Sequence, residues 1–234
     1  MRIRFVPAAA SAAALALAFH ATPGLAKKQS LDAGLYTNYS AGATRVGFIV
    51  CGALEFTNGC YGSGSLSPPF EQACAVLEGT SKQKDHVVTR QIYVLDKRTS
   101  NTAPIMLYVY TRTDTITQGS YDNIQVSLTK QIPLGLTGGT QSSCAMAAND
   151  AFVYAATSAD TVAAAIDKNA YTVSAVGGFS PPAHIVSITA DERGYVSIHF
   201  DEGYYTFGPD GSGAGDGGGA ADMVGTRNAW KPGN

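Results

Sequence analysis

Past its first 26 residues the chain is a succession of short apolar stretches rich in Thr, Val, Ile and Tyr, each cut off by Gly, Pro, Asn or Asp. β-Branched and aromatic residues suit a pleated, partly buried surface, and the interrupting residues are those that turns require. The pattern therefore predicts many short strands. The clearest are Val46–Cys51, Gln91–Leu95, Ile105–Thr111, Ile124–Leu128, Ala151–Ala155, Tyr171–Val176, Ile185–Thr189, Tyr195–Phe200 and Tyr204–Phe207. The alanine-rich piece Thr161–Ile166 has helical propensity, but it is too short to stand as a helix between Asp160 and Asp167 and is read as a strand. In Leu107-Tyr108-Val109-Tyr110 both alternating faces are apolar. That predicts a sheet covered on two sides, since a sheet with one wet face alternates more cleanly.

Aligning the strands brings out a repeat. Gly47-Phe48-Ile49-Val50, Ile92-Tyr93-Val94-Leu95, Ala151-Phe152-Val153-Tyr154 and Gly194-Tyr195-Val196-Ser197 each set an aromatic after a small or apolar residue and before a β-branched one. The aromatics at 48, 93, 152 and 195 are 45, 59 and 43 residues apart. Phe70–Leu77, Ile124–Ile132 and Tyr171–Val176 supply further strands to the first three units. Cys144–Ala148, Ala151–Ala155, Thr161–Ile166 and Tyr171–Val176 read as a four-stranded up-and-down meander, and periods of this length with four strands suggest propeller blades. The segment from Ser187-Ile188-Thr189-Ala190-Asp191 through Tyr205-Thr206-Phe207-Gly208-Pro209-Asp210-Gly211 resembles NHL-type propeller repeats over about 25 residues. The resemblance rests on turn chemistry and alternation and implies an all-β, propeller-like array of about four blades, as a small or incomplete ring. A β-sandwich is the alternative architecture. The first unit has an opening strand only if Gly34–Tyr39 supplies it, and the glycine-rich Gly211–Ala221 leaves the fourth without a closing one. The expected organisation is a signal peptide over 1–26, an all-β repeat domain over 27–211 and a flexible glycine-rich tail over 212–234.

The expectation of export rests on Arg2 and Arg4, the apolar run Ala8–Phe19, and small residues at Gly24 and Ala26 ahead of Lys27-Lys28. The run is too short to span a bilayer, so membrane insertion is not expected. Removing residues 1–26 takes away two arginines and no acid, leaving a remainder more acidic than the whole chain's net charge of −2. With no basic patch, nucleic acid is excluded as a partner. Cys51, Cys60, Cys74 and Cys144 are even in number and would meet an oxidising compartment, where two disulfides are the default. The hairpin reading favours Cys51–Cys60, leaving Cys74–Cys144. The spacings supply no C-x-x-C for zinc or redox chemistry, and no cofactor or metal is expected.

No catalytic motif stands out. Gly62-Ser63-Gly64-Ser65 is out of register for a nucleophile elbow. His199 alternates with Ser197 and Asp201 along a strand, with Glu202 next, which is the best acid–base neighbourhood the chain offers. Asp191-Glu192-Arg193-Gly194 reads as a turn. Asp210 and Asp216 lie in the glycine-rich segment without a calcium-binding repeat. Tyr61, Tyr204 and Tyr205 offer flat rings for stacking on sugars or partner side chains. The functional expectation is an exported, non-catalytic module that binds a glycan or a protein through rim loops. An exported hydrolase or lyase using His199 with Asp201 and Glu202 is one alternative. A structural envelope protein that closes by homo-oligomerisation is the other.

Overall fold

The computed structural model describes residues 35–42, 44–52, 60–66, 70–79, 81–117, 120–176, 185–201, 203–208 and 213–218. The expected signal peptide and Glu202 lie outside them. All regular structure among these residues is β. The strands are β1 (Leu35–Gly42), β2 (Arg45–Gly52), β3 (Cys60–Leu66), β4 (Ala73–Glu78), β5 (Lys82–Lys84), β6 (Val87–Asp96), β7 (Met106–Thr117) and β8 (Ser120–Pro133), followed by β9 (Cys144–Ala148), β10 (Phe152–Thr157), β11 (Ala163–Asp167), β12 (Val173–Val176), β13 (Ile185–Ala190), β14 (Val196–Phe200), β15 (Gly203–Phe207) and β16 (Gly213–Gly218). They form four antiparallel sheets in chain order: β1-β2-β3; β4-β6-β7-β8 with β5 added to β6; β9-β10-β11-β12; and β13-β14-β15-β16. None closes into a barrel.

Three apolar layers lie between consecutive sheets. Val46, Phe48, Val50 and Leu66 of the first sheet meet Val76, Ile92, Val94, Tyr108 and Tyr110 of the second. The other face of the second sheet, with Leu77, Tyr93, Leu95, Leu107 and Val109, meets Met146, Val153, Ala155 and Ile166 of the third. Ala147, Tyr154, Ala156 and Ala165 of the third meet Ile188, Val196, Ile198 and Phe207 of the fourth. Leu107 to Tyr110 thus divide alternately between two layers, as their unbroken apolar run predicts. Small residues dominate the third sheet, and Ala on both faces lets its neighbours approach closely. Gly64, opposite Phe48, plays a similar part, because a Cβ there would stand 2.5 Å from the ring.

The first strands of the sheets form a series in which β1 packs on β4, β4 on β9 and β9 on β13. Among the described residues the series ends there, with no comparable packing of β13 back on β1. β9 and β13 run in the same direction, since they are tied start to start and end to end. A disulfide joins Cys74 and Cys144 at the starts of β4 and β9, with Cα atoms 6.2 Å apart, and the Ser143 hydroxyl accepts the Ile185 amide at 2.6 Å at the start of β13. At the opposite ends, Asn149 Nδ2 donates to the Asp191 carbonyl at 3.1 Å, and Glu192 accepts the Asp150 amide at 3.0 Å. One rim is therefore tied by the disulfide and the other by the turns between first and second strands. The Cys74–Cys144 bridge is compatible with an oxidising location. Cys51 faces Cys60 in the β2–β3 register, as the hairpin reading requires, but their side chains lie outside the described residues.

The repeat holds with a change of phase. Phe48 is in β2, Tyr93 in β6, Phe152 opens β10 and Tyr195 directly precedes β14, so each marks the second strand of its sheet. Each also faces the same way round. Phe48 points toward the second sheet, Tyr93 toward the third, Phe152 toward the fourth, and Tyr195 lies on the face that no further sheet covers among the described residues, 44% exposed. Leu35–Gly42 does open the first unit. Two expectations are corrected. The Phe70–Leu77 stretch does not close the first unit but contributes β4, which opens the second. The fourth sheet does have a closing strand, β16, within the segment read as flexible tail. Main-chain pairing with β15 needs no side chains, so a glycine run of low strand propensity can still fill an edge position.

Burial of tyrosines sets the alkaline limit of the fold. Removal from water first, then the neighbouring Glu78 charge, holds the Tyr39 phenol well above its ordinary value. Burial likewise raises Tyr93, Tyr108 and Tyr154, and pushes Tyr110 up to about 12. The folded chain therefore keeps protons that the unfolded chain releases near pH 10, so stability is intact below that pH and declines as pH rises through it. The tyrosinate absorbance of these five residues is expected to appear together with unfolding rather than before it. A second prediction concerns the Cys74–Cys144 bridge, which closes a span of 70 residues. Cys74→Ser should lower unfolding stability by about 3–4 kcal/mol, read from urea midpoints, mainly by freeing the unfolded chain.

Candidate functional site

The second sheet is longer than its neighbours. β7 and β8 run to 12 and 14 residues, whereas β9 to β12 have four to six. Both of its faces change character at the same level. Toward the third sheet, Tyr93, Leu95, Leu107 and Val109 give way to Gln91 and Thr89 on β6 and to Thr111 opposite Gln91 on β7. Toward the first sheet, Ile92, Val94, Tyr108 and Tyr110 give way to Arg90 and, opposite it, Arg112, then Asp114.

On the first-sheet side the polar groups are sealed in. Arg90 is joined to Glu78 and stands 3.3 Å from Asp114, and Arg112 Nε donates to Asp114 at 2.7 Å. The Tyr39 hydroxyl donates to Glu78 at 2.7 Å, and the Arg112 guanidinium lies 5.1 Å from the centre of the Phe48 ring. Arg112 and Asp114 are fully buried and Arg90 nearly so. Two cations and two carboxylates balance, which is the condition for placing charge between sheets. Burial raises the Asp114 carboxyl, and the two guanidinia only partly offset it.

On the third-sheet side the same level stays open. A cleft of about 230 Å³ is lined by Gly79, Lys82, Thr89, Gln91, Tyr93 and Thr111 of the second sheet, with Asp150, Lys168 and Asn169 from turns of the third. Arg90 also borders it, but its guanidinium is directed to the opposite face, into the ion network. Two of the lining residues, Tyr93 and Gln91, enter a hydrogen-bonded relay that ends on Tyr171. The Tyr93 hydroxyl donates to Gln91 Oε1, and Gln91 Nε2 donates to the Tyr171 hydroxyl at 3.1 Å. The wall from the third sheet is pinned in turn. Asp167 accepts the amides of Asn169 and Ala170, both at 2.7 Å, the Lys168 amide donates to Ala151 at 2.9 Å, and Lys168 Nζ donates to the Asn149 carbonyl. Tyr171 holds a left-handed φ of 57°, costly for a bulky residue, which places its ring on the relay.

The residues singled out from sequence lie elsewhere. His199 pairs across strands with Tyr204, ring centres 5.7 Å apart, and its Nε2 is 3.5 Å from the Thr189 hydroxyl. Burial lowers its pKa, and its buried Nδ1 has no hydrogen-bond partner among the described residues. Asp201 is an exposed residue of the β14–β15 turn, where strand alternation with His199 ends. Tyr205 turns to the other face and packs on Phe200 at 5.2 Å. Tyr61 is in β3, with its side chain outside the described residues. The structure thus brings His199 and Tyr204 together and sends Tyr205 away from them. Asp191 behaves as the turn former its sequence suggests, accepting the amides of Arg193 and Tyr195, both at 2.9 Å. Among the described residues no group of His, Cys, Asp and Glu is arranged to hold a metal, and no helix is long and apolar enough to cross a membrane. The cleft residues went unread in the sequence. Their one signal is the switch from apolar to threonine-rich alternation at Thr111-Arg112-Thr113-Asp114-Thr115, inside a strand that continues.

No protein-family model matches the chain, and no curated protein matches its sequence.

The ion network carries a prediction of its own. Arg112→Met leaves Asp114 without its nearest partner and should cost about 3 kcal/mol of unfolding stability in urea. Arg112→Met combined with Asp114→Leu should recover most of that loss, because it removes the stranded charge together with its partner.

Proposed function

We propose that the protein is an exported, non-catalytic binding module whose four sheets act as blades of an open, propeller-like array, and that it recognises a glycan in the cleft between the second and third sheets. The observation that carries this reading is the composition of the cleft. Threonine hydroxyls, side-chain amides and a phenol sit on long paired strands and pinned turns, at a size suited to a single sugar residue. Sugars are bound by such fixed polar groups, and a wall rigid before binding loses little entropy when the ligand enters. The successive packing of first strands and the shared facing of the four second-strand aromatics support the blade-like description. The Cys74–Cys144 bridge and the amino-terminal pattern of Arg2, Arg4 and Ala8–Phe19 support export. Fold likeness alone would not choose between enzyme and binder, so the reading rests on the cleft.

Retention of the protein on immobilised oligosaccharides tests it. Gln91→Ala and Thr111→Ala should each weaken binding by about tenfold, the scale of one well-placed hydrogen bond with its partner left unsatisfied. Failure to retain any saccharide at high protein concentration, or retention that both variants leave unchanged, overturns the reading.

A further inference from the structure

The cleft has a charge as well as a shape. Besides Arg90, the ionisable residues that line it are Lys82, Lys168, whose Nζ also donates to the Asn149 carbonyl, and Asp150, two cations to one anion. The lysines come from opposite walls. Lys82 stands on β5, the short strand added to the edge of the second sheet, and pairs across it with Thr89, which puts both side chains on the cleft face. Lys168 belongs to the turn between β11 and β12 that Asp167 and Ala151 hold in place. Lys82 is exposed and has no ion pair among the described residues. Arg90, the residue whose planar fork would suit a phosphate or sulfate, is turned to Glu78 and Asp114 behind the wall. What the cleft presents are separate point charges beside neutral donors and acceptors.

Building on the glycan reading above, we infer that the cleft takes an acidic saccharide, a sugar residue bearing a carboxylate. The carboxylate sits between Lys82 and Lys168, and the ring hydroxyls meet Thr89, Gln91, Thr111 and Asn169. Asp150, at the third-sheet end of the cleft, accepts from a hydroxyl and disfavours a second negative group, so one carboxylate per bound residue is the preferred load.

Isothermal titration of the full chain with trigalacturonic acid and with its fully methyl-esterified form decides the matter, because esterification removes the charge and leaves the ring hydroxyls. The acid should bind at least about tenfold more tightly than the ester. Its affinity should fall with added salt, and Lys82→Gln should reduce it about threefold and narrow the difference between acid and ester. Equal affinity for acid and ester overturns the acidic-ligand inference and leaves the glycan reading standing. Binding of neither, together with an empty oligosaccharide panel, overturns both. Binding of a polyglutamate peptide in competition with trigalacturonate and as tightly shows that charge alone is recognised, and overturns the saccharide assignment. The comparison of acid with ester needs no variant, so it stands even if a lysine substitution disturbs the fold.

Discussion

The structure depends on one constraint: the second sheet is apolar on both faces, but only along part of its length. Where it is apolar it must be covered twice, which requires a sheet in front and a sheet behind. The first and third sheets supply that cover through separate layers of side chains. Where β6 and β7 outrun this cover, at Arg90-Gln91 and Thr111-Arg112, the side chains on both faces turn polar together. The two faces then meet different surroundings. Toward the first sheet Tyr39 and Phe48 still close the space, so the charges there must neutralise one another. Toward the third sheet the strands end early, so hydroxyls, an amide and two lysines line an open cleft. One change in strand pattern thus yields both a buried ion network and an open cleft.

The position of the cleft is fixed by how the third sheet is held. The disulfide joins the starts of β4 and β9, and the cleft opens at the far rim, where β4 and β9 end. That rim would be free to gape if the covalent tie were alone. Asn149 prevents this on the fourth-sheet side: its Oδ1 accepts the Ala151 and Phe152 amides, its Nδ2 reaches Asp191, and its carbonyl receives Lys168. Gln91 and Tyr171 make the corresponding tie to the second sheet. The groups that line the cleft are thus held by the contacts that hold the sheets together, and loss of a tie would widen the cleft before it unfolded the protein.

Much of this arrangement was legible in the sequence because it follows from periodicity. The apolar runs located most of the strands, and Thr161–Ile166 was correctly placed as a strand despite its alanines. The Asp191 turn could be read because a short carboxylate facing backbone amides is a local interaction. The phase of the repeat could not. The aromatic motif marks a strand but carries no rank within its sheet, and Phe70–Leu77 fits the end of one unit as well as the start of the next. Strand ends were missed for a related reason. Thr111–Thr117 has a single apolar residue, Ile116, yet pairing with Ser120–Pro133 continues through it, since ladder hydrogen bonds do not depend on what the side chains face. His199 drew attention through nearby carboxylates in sequence, but alternation holds only while the chain stays extended, and it turns at Asp201. The cleft depends on how far two sheets overlap, a tertiary quantity that no local pattern records.

The repeat and its irregularity divide the work between them. Phe48, Tyr93 and Phe152 each reach toward the next sheet, so the same contact is made three times, and Tyr195 would make a fourth if a further sheet followed. A contact that recurs in every unit supports the stack and distinguishes no ligand. The spacing of 59 residues between Tyr93 and Phe152 breaks the rhythm of 45 and 43 on either side. The added length lies in β7 and β8, whose extension carries the sheet beyond its neighbours, and among the described residues the same sheet alone has a fifth strand, β5, bearing Lys82. The features that make the second unit a poor copy of the others are the ones that build the cleft. In an array whose regular positions are occupied by packing, a binding surface can arise only where one unit departs from the pattern, and here the departure and the cleft coincide.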